Sequence, residues 1–187
     1  MLSLVEAMAS LSIIELGYSP ATDENEGTGN FNKTAIGFWR YTAKFDDIDG
    51  LGGRGKSQGA YMLSEQSLFH ETGSKIQGLA GFARFGVASE NVNVLDWSAS
   101  LGARYRGLIS GRDDDLIDLA INISHASKDY RNTGNFKCQE TGLELIYRAK
   151  VKSWLAIQLT IQGIINPSLD SNIKDAWAVG TRVELEL

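Results

Sequence analysis

The segment Gly50-Leu-Gly-Gly-Arg-Gly-Lys-Ser57 matches the phosphate-loop pattern G-x-x-x-x-G-K-[ST] letter for letter. That chemistry needs a buried strand before the loop and a helix after it, whose N-terminal N–H groups hold the phosphates. Neither is expected here. Phe38–Lys44 is polar on one side, Asp46-Asp-Ile-Asp49 intervenes, and Gln58-Gly-Ala-Tyr61 opens with a helix-weakening glycine. The segment reads as a glycine-rich external loop.

Other reactive residue types are sparse. Asp113-Asp114-Asp115 lacks the spaced ligands of a dedicated calcium site and reads as a solvated turn. His70 and His125 have serines nearby in sequence but no nucleophile motif or metal-ligand spacing. Cys138 is the single cysteine, which excludes an intrachain disulfide framework and a multi-cysteine zinc site. No catalytic residue, cofactor or metal is expected, and the chain does not read as an enzyme.

The charges that do fall into a pattern occupy alternate positions of apolar-periodic segments. Arg84, Asp96, Arg104, Arg106, Asp118, Glu144, Arg148 and Arg182 are the candidate solute-binding residues, with Lys150 and Glu184 beside them. Arginine donates from a planar fork suited to paired hydroxyl oxygens, and the acids accept from the same hydroxyls. Along a water-filled interior such groups would bind a hydrophilic solute weakly and at many points. The bland alternative is that they solvate the interior and pair across strands.

The elements that position these charges alternate with period two, and helical spacing is poorly represented. In 155–162, Leu155, Ile157, Leu159 and Ile161 share one face and Ala156, Gln158, Thr160 and Gln162 the other. Segments 79–85, 95–106, 117–124, 143–150 and 177–187 repeat the pattern. Leu11–Tyr18, the residues around Trp39, and Ser57–Ser67 complete about nine strands, with Leu2–Ala9 a possible tenth. Gly, Asn and Asp cluster between them, at Pro20–Asn32, Asp46–Lys56, Ser89–Asn93, Ser110–Asp115, Asp129–Asn135 and Asn166–Asn172. The fold class is therefore all-β, one antiparallel meander over residues 1–187.

Composition bounds the rest. The 187 residues carry a net charge of −5, with 18 basic and 23 acidic side chains, which argues against a nucleic-acid binder. No run approaches the roughly 18 apolar residues of a spanning helix, but a barrel crosses with alternating strands and needs none. In a soluble barrel the apolar face points inward; in a membrane barrel it points at lipid. Trp97, Tyr105, Tyr147, Trp154 and Trp177 suit interfacial girdles of the second. A soluble lipid-binding barrel and a structural or adhesion barrel with a plugged lumen remain as alternatives.

Tyr105-Arg-Gly-Leu-Ile-Ser-Gly-Arg-Asp-Asp-Asp115, Glu140-Thr-Gly-Leu-Glu-Leu-Ile-Tyr-Arg-Ala-Lys150, Trp154-Leu-Ala-Ile-Gln158 and Asn166-Pro167, in this order, resemble the carbohydrate-selective porins of the OprB family. Gly78-Leu-Ala-Gly-Phe-Ala-Arg-Phe85 adds to the resemblance, which covers roughly residues 35–187 and is strongest after 95. It implies a transmembrane outer-membrane β-barrel of about sixteen strands, of which this chain would be the C-terminal portion. It implies passive diffusion of small hydrophilic solutes, carbohydrates above all, in the outer membrane of a Gram-negative-type bacterium. The implied partners are those solutes, outer-membrane lipid and the barrel assembly machinery. It also places the segments around Asp46, Asp129 and Asn166 outside, and those around Gly73, Ser110 and Lys150 in the periplasm. Three features depart from the family pattern: no signal segment opens the chain, Leu187 stands where an aromatic is usual, and Pro20–Asn32 is long for a periplasmic turn.

Overall fold

The computed structural model describes residues 10–20, 32–74 and 76–186. Nine strands follow one another in chain order: β1 (Leu11–Tyr18), β2 (Asn32–Asp46), β3 (Arg54–His70), β4 (Gly78–Ala88), β5 (Leu95–Arg106), β6 (Leu116–Ala126), β7 (Gln139–Lys152), β8 (Leu155–Ile165) and β9 (Ala176–Leu185). They form a single sheet in which every strand pairs antiparallel with its sequence neighbour. The possible strand Leu2–Ala9, most of the loop Pro20–Asn32, and Leu187 lie outside the described residues.

Alternation sets the register. Leu155, Ile157, Leu159 and Ile161 of β8 stand opposite Leu185, Val183, Thr181 and Val179 of β9. On the other side Ile157, Leu159 and Ile161 meet Ala149, Tyr147 and Leu145 of β7. The same row continues through Leu119 and Ile121 of β6 to Leu101 and Ala103 of β5. A slip of one residue would exchange the two faces, so each strand fixes its neighbour. Register shifts occur at Arg40/Lys44, Ser67/Phe69, Leu95/Trp97 and Lys150/Lys152, close to strand ends.

Two connections carry structure where the sequence suggests loop. A five-residue helix, α1 (Lys128–Asn132), follows β6, with the Ser127 side chain accepting from the Tyr130 N–H as its N-cap. A 3-10 turn, Pro167–Leu169, precedes β9. The two connections are joined: the Lys137 N–H donates to the Leu169 carbonyl at 2.7 Å. Leu169 is buried there. The phosphate-loop segment behaves as expected of a turn. Gly50 and Gly52 have φ of 72° and 85°, Arg54 already opens β3, and β3 runs on to His70 with no helix.

No conventional core forms among the described residues. The buried apolar residues are Ala35, Ala126, Ala156 and Leu169. Large apolar side chains lie bare on one face, including Leu16 at 74%, Leu101 at 61%, Leu119 at 60% and Val179 at 79% exposure. Water would not tolerate that surface; lipid would. The other face is polar, and its long side chains shield one another, with Asp118 only 19% exposed and Arg148 30%. Splayed apolar groups and converging charged ones make the polar face the inner, concave one.

Aromatic residues bound the apolar face. Phe69 and Tyr105 meet edge-on at 5.8 Å near one end. Their neighbour Tyr147 shares the same cross-strand row through Ile117. Near the other end, Trp97 stacks on His125 at 5.0 Å and approaches Phe85 at 6.3 Å. Tyr105 and Trp97 are eight positions apart on β5, about 26 Å along the strand and roughly 20 Å along the membrane normal at the usual barrel tilt, the same order as the ~25 Å apolar band of outer-membrane barrels. Trp154 differs from the other expected girdle residues, because it lies in the turn between β7 and β8 and not on a strand.

Leu159→Arg, on the lipid side of β8, is expected to cost about 2–4 kcal/mol of folding stability in bilayers, while Thr160→Arg beside it costs little. Reversible urea unfolding in lipid vesicles measures both. An equal or reversed order would invert the assignment of the faces.

Candidate polar wall

On the inner face, charges come together as cross-strand pairs. Arg104 of β5 forks onto Asp118 of β6, Nε to Oδ1 at 2.6 Å and Nη2 to Oδ2 at 2.8 Å. The two residues are register partners, so the strand pairing itself aligns the fork. Arg84 donates to Glu65 at 2.9 Å, one step along the β3–β4 ladder. Gln162 donates to Glu144 at 2.5 Å across β7 and β8.

Other contacts skip a strand, and a small residue in the skipped strand permits this. Arg148 of β7 reaches over β8 to Glu184 of β9 at 2.7 Å, and the β8 residue opposite Glu184 is the buried Ala156. Tyr61 of β3 reaches over β2 to donate to Glu15 of β1 at 2.5 Å, and the β2 residue between them is Gly37. A Cβ at Gly37 would come within 2.6 Å of the Tyr61 ring. Between immediate neighbours, the Phe82 ring lies over its register partner Gly102, and the Trp39 ring over its partner Gly59.

The structure therefore gathers most of the sequence-proposed residues into one wall. Arg84 and Glu144 border a hollow of about 340 Å³ at mid-wall, with Phe82, Ser100, Asn122 and Gln162. Arg104 and Asp118 line an adjoining hollow that shares Phe82 and Glu144. Arg106 and Arg148 border another, of about 320 Å³, with Asp114, Lys150, Trp154 and Glu184. Two candidates stand apart. Asp96 sits at the Leu95/Trp97 register shift and meets the Nδ1 of His125 at 2.7 Å, away from the wall row, because the bulge redirects it. Arg182 stands on β9 with no hydrogen-bond or ion-pair partner among the described residues.

Glu15, Trp39, Tyr61, Glu65, Phe82 and Gln162 belong to the wall and were not among the sequence candidates. Their signal lay in the glycines: Gly37, Gly59 and Gly102 recur at inner-facing positions beside aromatic residues.

The turn between β5 and β6 anchors one end of the wall. The Asp115 carboxylate is buried and accepts from the Tyr147 hydroxyl at 2.5 Å, the Arg112 Nε at 2.7 Å and the Lys150 N–H at 2.9 Å. Burial alone would raise its pKa; the Tyr147 and Arg112 hydrogen bonds, with that of the Lys150 N–H, outweigh burial and hold it below the ordinary carboxylate value. Asp114 is also held low, chiefly by its hydrogen bond from Arg106, with Lys150 adding attraction. Asp114 and Asp115 thus serve as a latch between neighbouring hairpins, their oxygens turned toward protein donors, while Asp113 stays exposed.

The sequence matches the family model described as "Carbohydrate-selective porin, OprB family" over residues 7–187. It is similar to Porin B of Pseudomonas aeruginosa, 24% identical over 202 residues, an alignment covering 91% of this chain and 44% of that protein. It is also similar to the solved structure titled "High pH structure of Pseudomonas putida OprB", with a TM-score of 0.79, 21% identity, 95% of this chain covered and 48% of that one. At this identity the structural likeness speaks for the fold alone. The chain spans a little under half the length of both relatives.

Because Asp115 has a depressed pKa when folded, its contribution is complete above the unfolded value near 3.8 and is lost as pH falls through the folded value. Tyr147→Phe is expected to destabilise the folded protein by about 1–3 kcal/mol at neutral pH, the cost of leaving a buried charge short of a donor. Unfolding titrations at pH 7 and pH 3 check this, with the difference between variant and wild type narrowing at the lower pH.

Proposed function

Since this chain belongs to the carbohydrate-selective porin, OprB family, we propose that it builds the wall of a water-filled pore for passive diffusion of small hydrophilic solutes, sugars above all. Its place is the outer membrane of a Gram-negative bacterium. The family also makes it a channel protein and not an enzyme.

The observation that carries the reading is the inner wall with its self-neutralised charge. Arg84–Glu65, Arg104–Asp118 and Arg148–Glu184 each close within three neighbouring strands. Charges satisfied on their own side of the lumen need no partner from the opposite wall, so the centre stays open to water. Such pairing favours an open pore over a plugged structural barrel. Paired signs also leave little net field along the path, which suits uncharged solutes more than ions of either sign. The pairs are exposed enough to exchange partners with sugar hydroxyls, and each such exchange is weak, as release requires.

The wall must also close. Among the described residues β1 and β9 are each paired on one side only. Unpaired backbone N–H and C=O groups cost several kcal/mol each in hydrocarbon. Closing strands therefore complete the barrel at both edges. By the usual rule of short periplasmic and long external connections, the end bearing 127–138 and 166–175 faces outward.

Reconstituted in planar bilayers with its barrel closed, the protein should conduct with K⁺ and Cl⁻ permeabilities within about threefold of each other, given paired wall charges, and should admit monosaccharides into liposomes. Absence of both conductance and sugar uptake would sink the porin reading. Replacing Arg104 and Asp118 together with Ala should leave ion conductance nearly unchanged while altering sugar flux.

A further inference from the structure

Above the height of Gly37, the inner face of β2 carries no charge. Trp39, Tyr41 and Phe45 follow one another there, with ring centroids 6.1 and 5.5 Å apart and planes at 79° and 85°. Only Ala43 lies between them on that face. The Trp39 ring spreads over Gly59 of β3, where a Cβ would approach its ring atoms to 2.7 Å. Glycine at 59 is thus what lets the largest ring lie along the wall instead of standing off it.

An aromatic column on a membrane strand is ordinarily a girdle, sitting at the lipid boundary. Two facts exclude that here. The column shares its face with Gly59 and Tyr61, the face of the polar wall. Moreover, the reverse face at the same height is polar: Ser12, Arg40 and Gln58 form one cross-strand row, followed on β2 by Thr42 and Lys44. The β2–β3 hairpin has therefore already risen out of the lipid belt at Arg40, and the three rings line an aqueous mouth.

Trp39 and Tyr41 are half-buried and Phe45 is exposed. Rings so presented at the mouth of a pore favour a solute that is polar at its rim and apolar on its face. Hexopyranoses have that form: equatorial hydroxyls around the edge and C–H bonds on the flat sides. An ion or a charged amino acid gains little from the same surface. We propose that Trp39, Tyr41 and Phe45 form a stacking track that captures hexopyranose sugars at the mouth and passes them down to the polar wall. Tyr61, hydrogen-bonded to Glu15, stands where the track meets that wall. This rests on the pore reading above, and deepens it by assigning the capture step to particular rings.

The test uses the closed pore extracted from outer membranes. Losing one stacking ring, worth about 1 kcal/mol, corresponds to roughly a fivefold change in affinity. Trp39→Ala and Tyr41→Ala should each raise the half-saturating sugar concentration for uptake by about that factor. Ion conductance and uptake of a similar-sized amino acid should stay unchanged, and Trp39→Phe should retain sugar affinity. A second readout does not depend on flux. With Trp97, Trp154, Trp177 and every tryptophan of the closing strands changed to Phe, the remaining Trp39 emission should be quenched by aqueous iodide, protected by glucose, and untouched by brominated lipid.

Unchanged sugar uptake in the Ala variants overturns the track while leaving the pore reading standing. Quenching of Trp39 by brominated lipid, or its inaccessibility to iodide without sugar, overturns it by placing the ring in lipid or under a covering segment. A wild-type pore that passes ions but no sugar overturns the track and the sugar part of the pore reading, while leaving the pore itself standing.

Discussion

Backbone amides and carbonyls have no water to turn to inside a bilayer, so a spanning strand must have both its neighbours. The rest of this architecture follows from that requirement. Each strand from β2 to β8 has two antiparallel partners, and the ladder imposes a single register across the sheet. Register then decides which side chains share a face, and the two faces meet different solvents. Burial in a common interior contributes almost nothing here. The order of the sheet comes from its hydrogen-bond ladders and from transfer of apolar side chains to lipid.

A second constraint acts across the strands. Neighbouring strands lie about 4.8 Å apart, too close for a large side chain at every inner position of a row. The wall resolves this by alternating size. Tyr61 lies over Gly37, Trp39 over Gly59 and Phe82 over Gly102, and the Arg148–Glu184 pair lies beside Ala156. The Tyr61–Glu15 and Arg148–Glu184 contacts each tie three strands together, which a pair between immediate neighbours cannot do. The glycines also let the rings lie along the wall.

The ends of the sheet are finished differently. At the end with the 71–77 and 107–115 turns, tyrosine hydroxyls bind turn carboxylates, Tyr105 to Glu71 and Tyr147 to Asp115. At the other end the connections clip to one another: Ile48 to Asn91, Ser127 to Val94, and Lys137 to Leu169 through backbone bonds. An interfacial tyrosine can do the first because its ring sits at the lipid boundary while its hydroxyl reaches the water side. The second makes the loops a connected rim.

Alternation of residue type was enough to fix nine strands, their antiparallel order and the two faces, because a strand's side chains point by parity alone. The charged wall residues Arg84, Arg104, Asp118, Glu144 and Arg148 were legible for that reason. So was the rejection of Gly50–Ser57 as a phosphate loop, since no helix pattern followed it. Parity fails wherever the ladder gains a residue, and for this reason Asp96, at a bulge, meets His125 instead of the wall. Partners were not legible either, because pairing depends on register between strands and on which neighbour is small. That Tyr61 finds Glu15 two strands away, that Trp39 turns inward beside Gly59, and that Asp115 is sealed beneath Tyr147 were decided only when the strands were laid side by side. Sequence spacing sets direction along one strand; distance between strands exists only in the folded sheet.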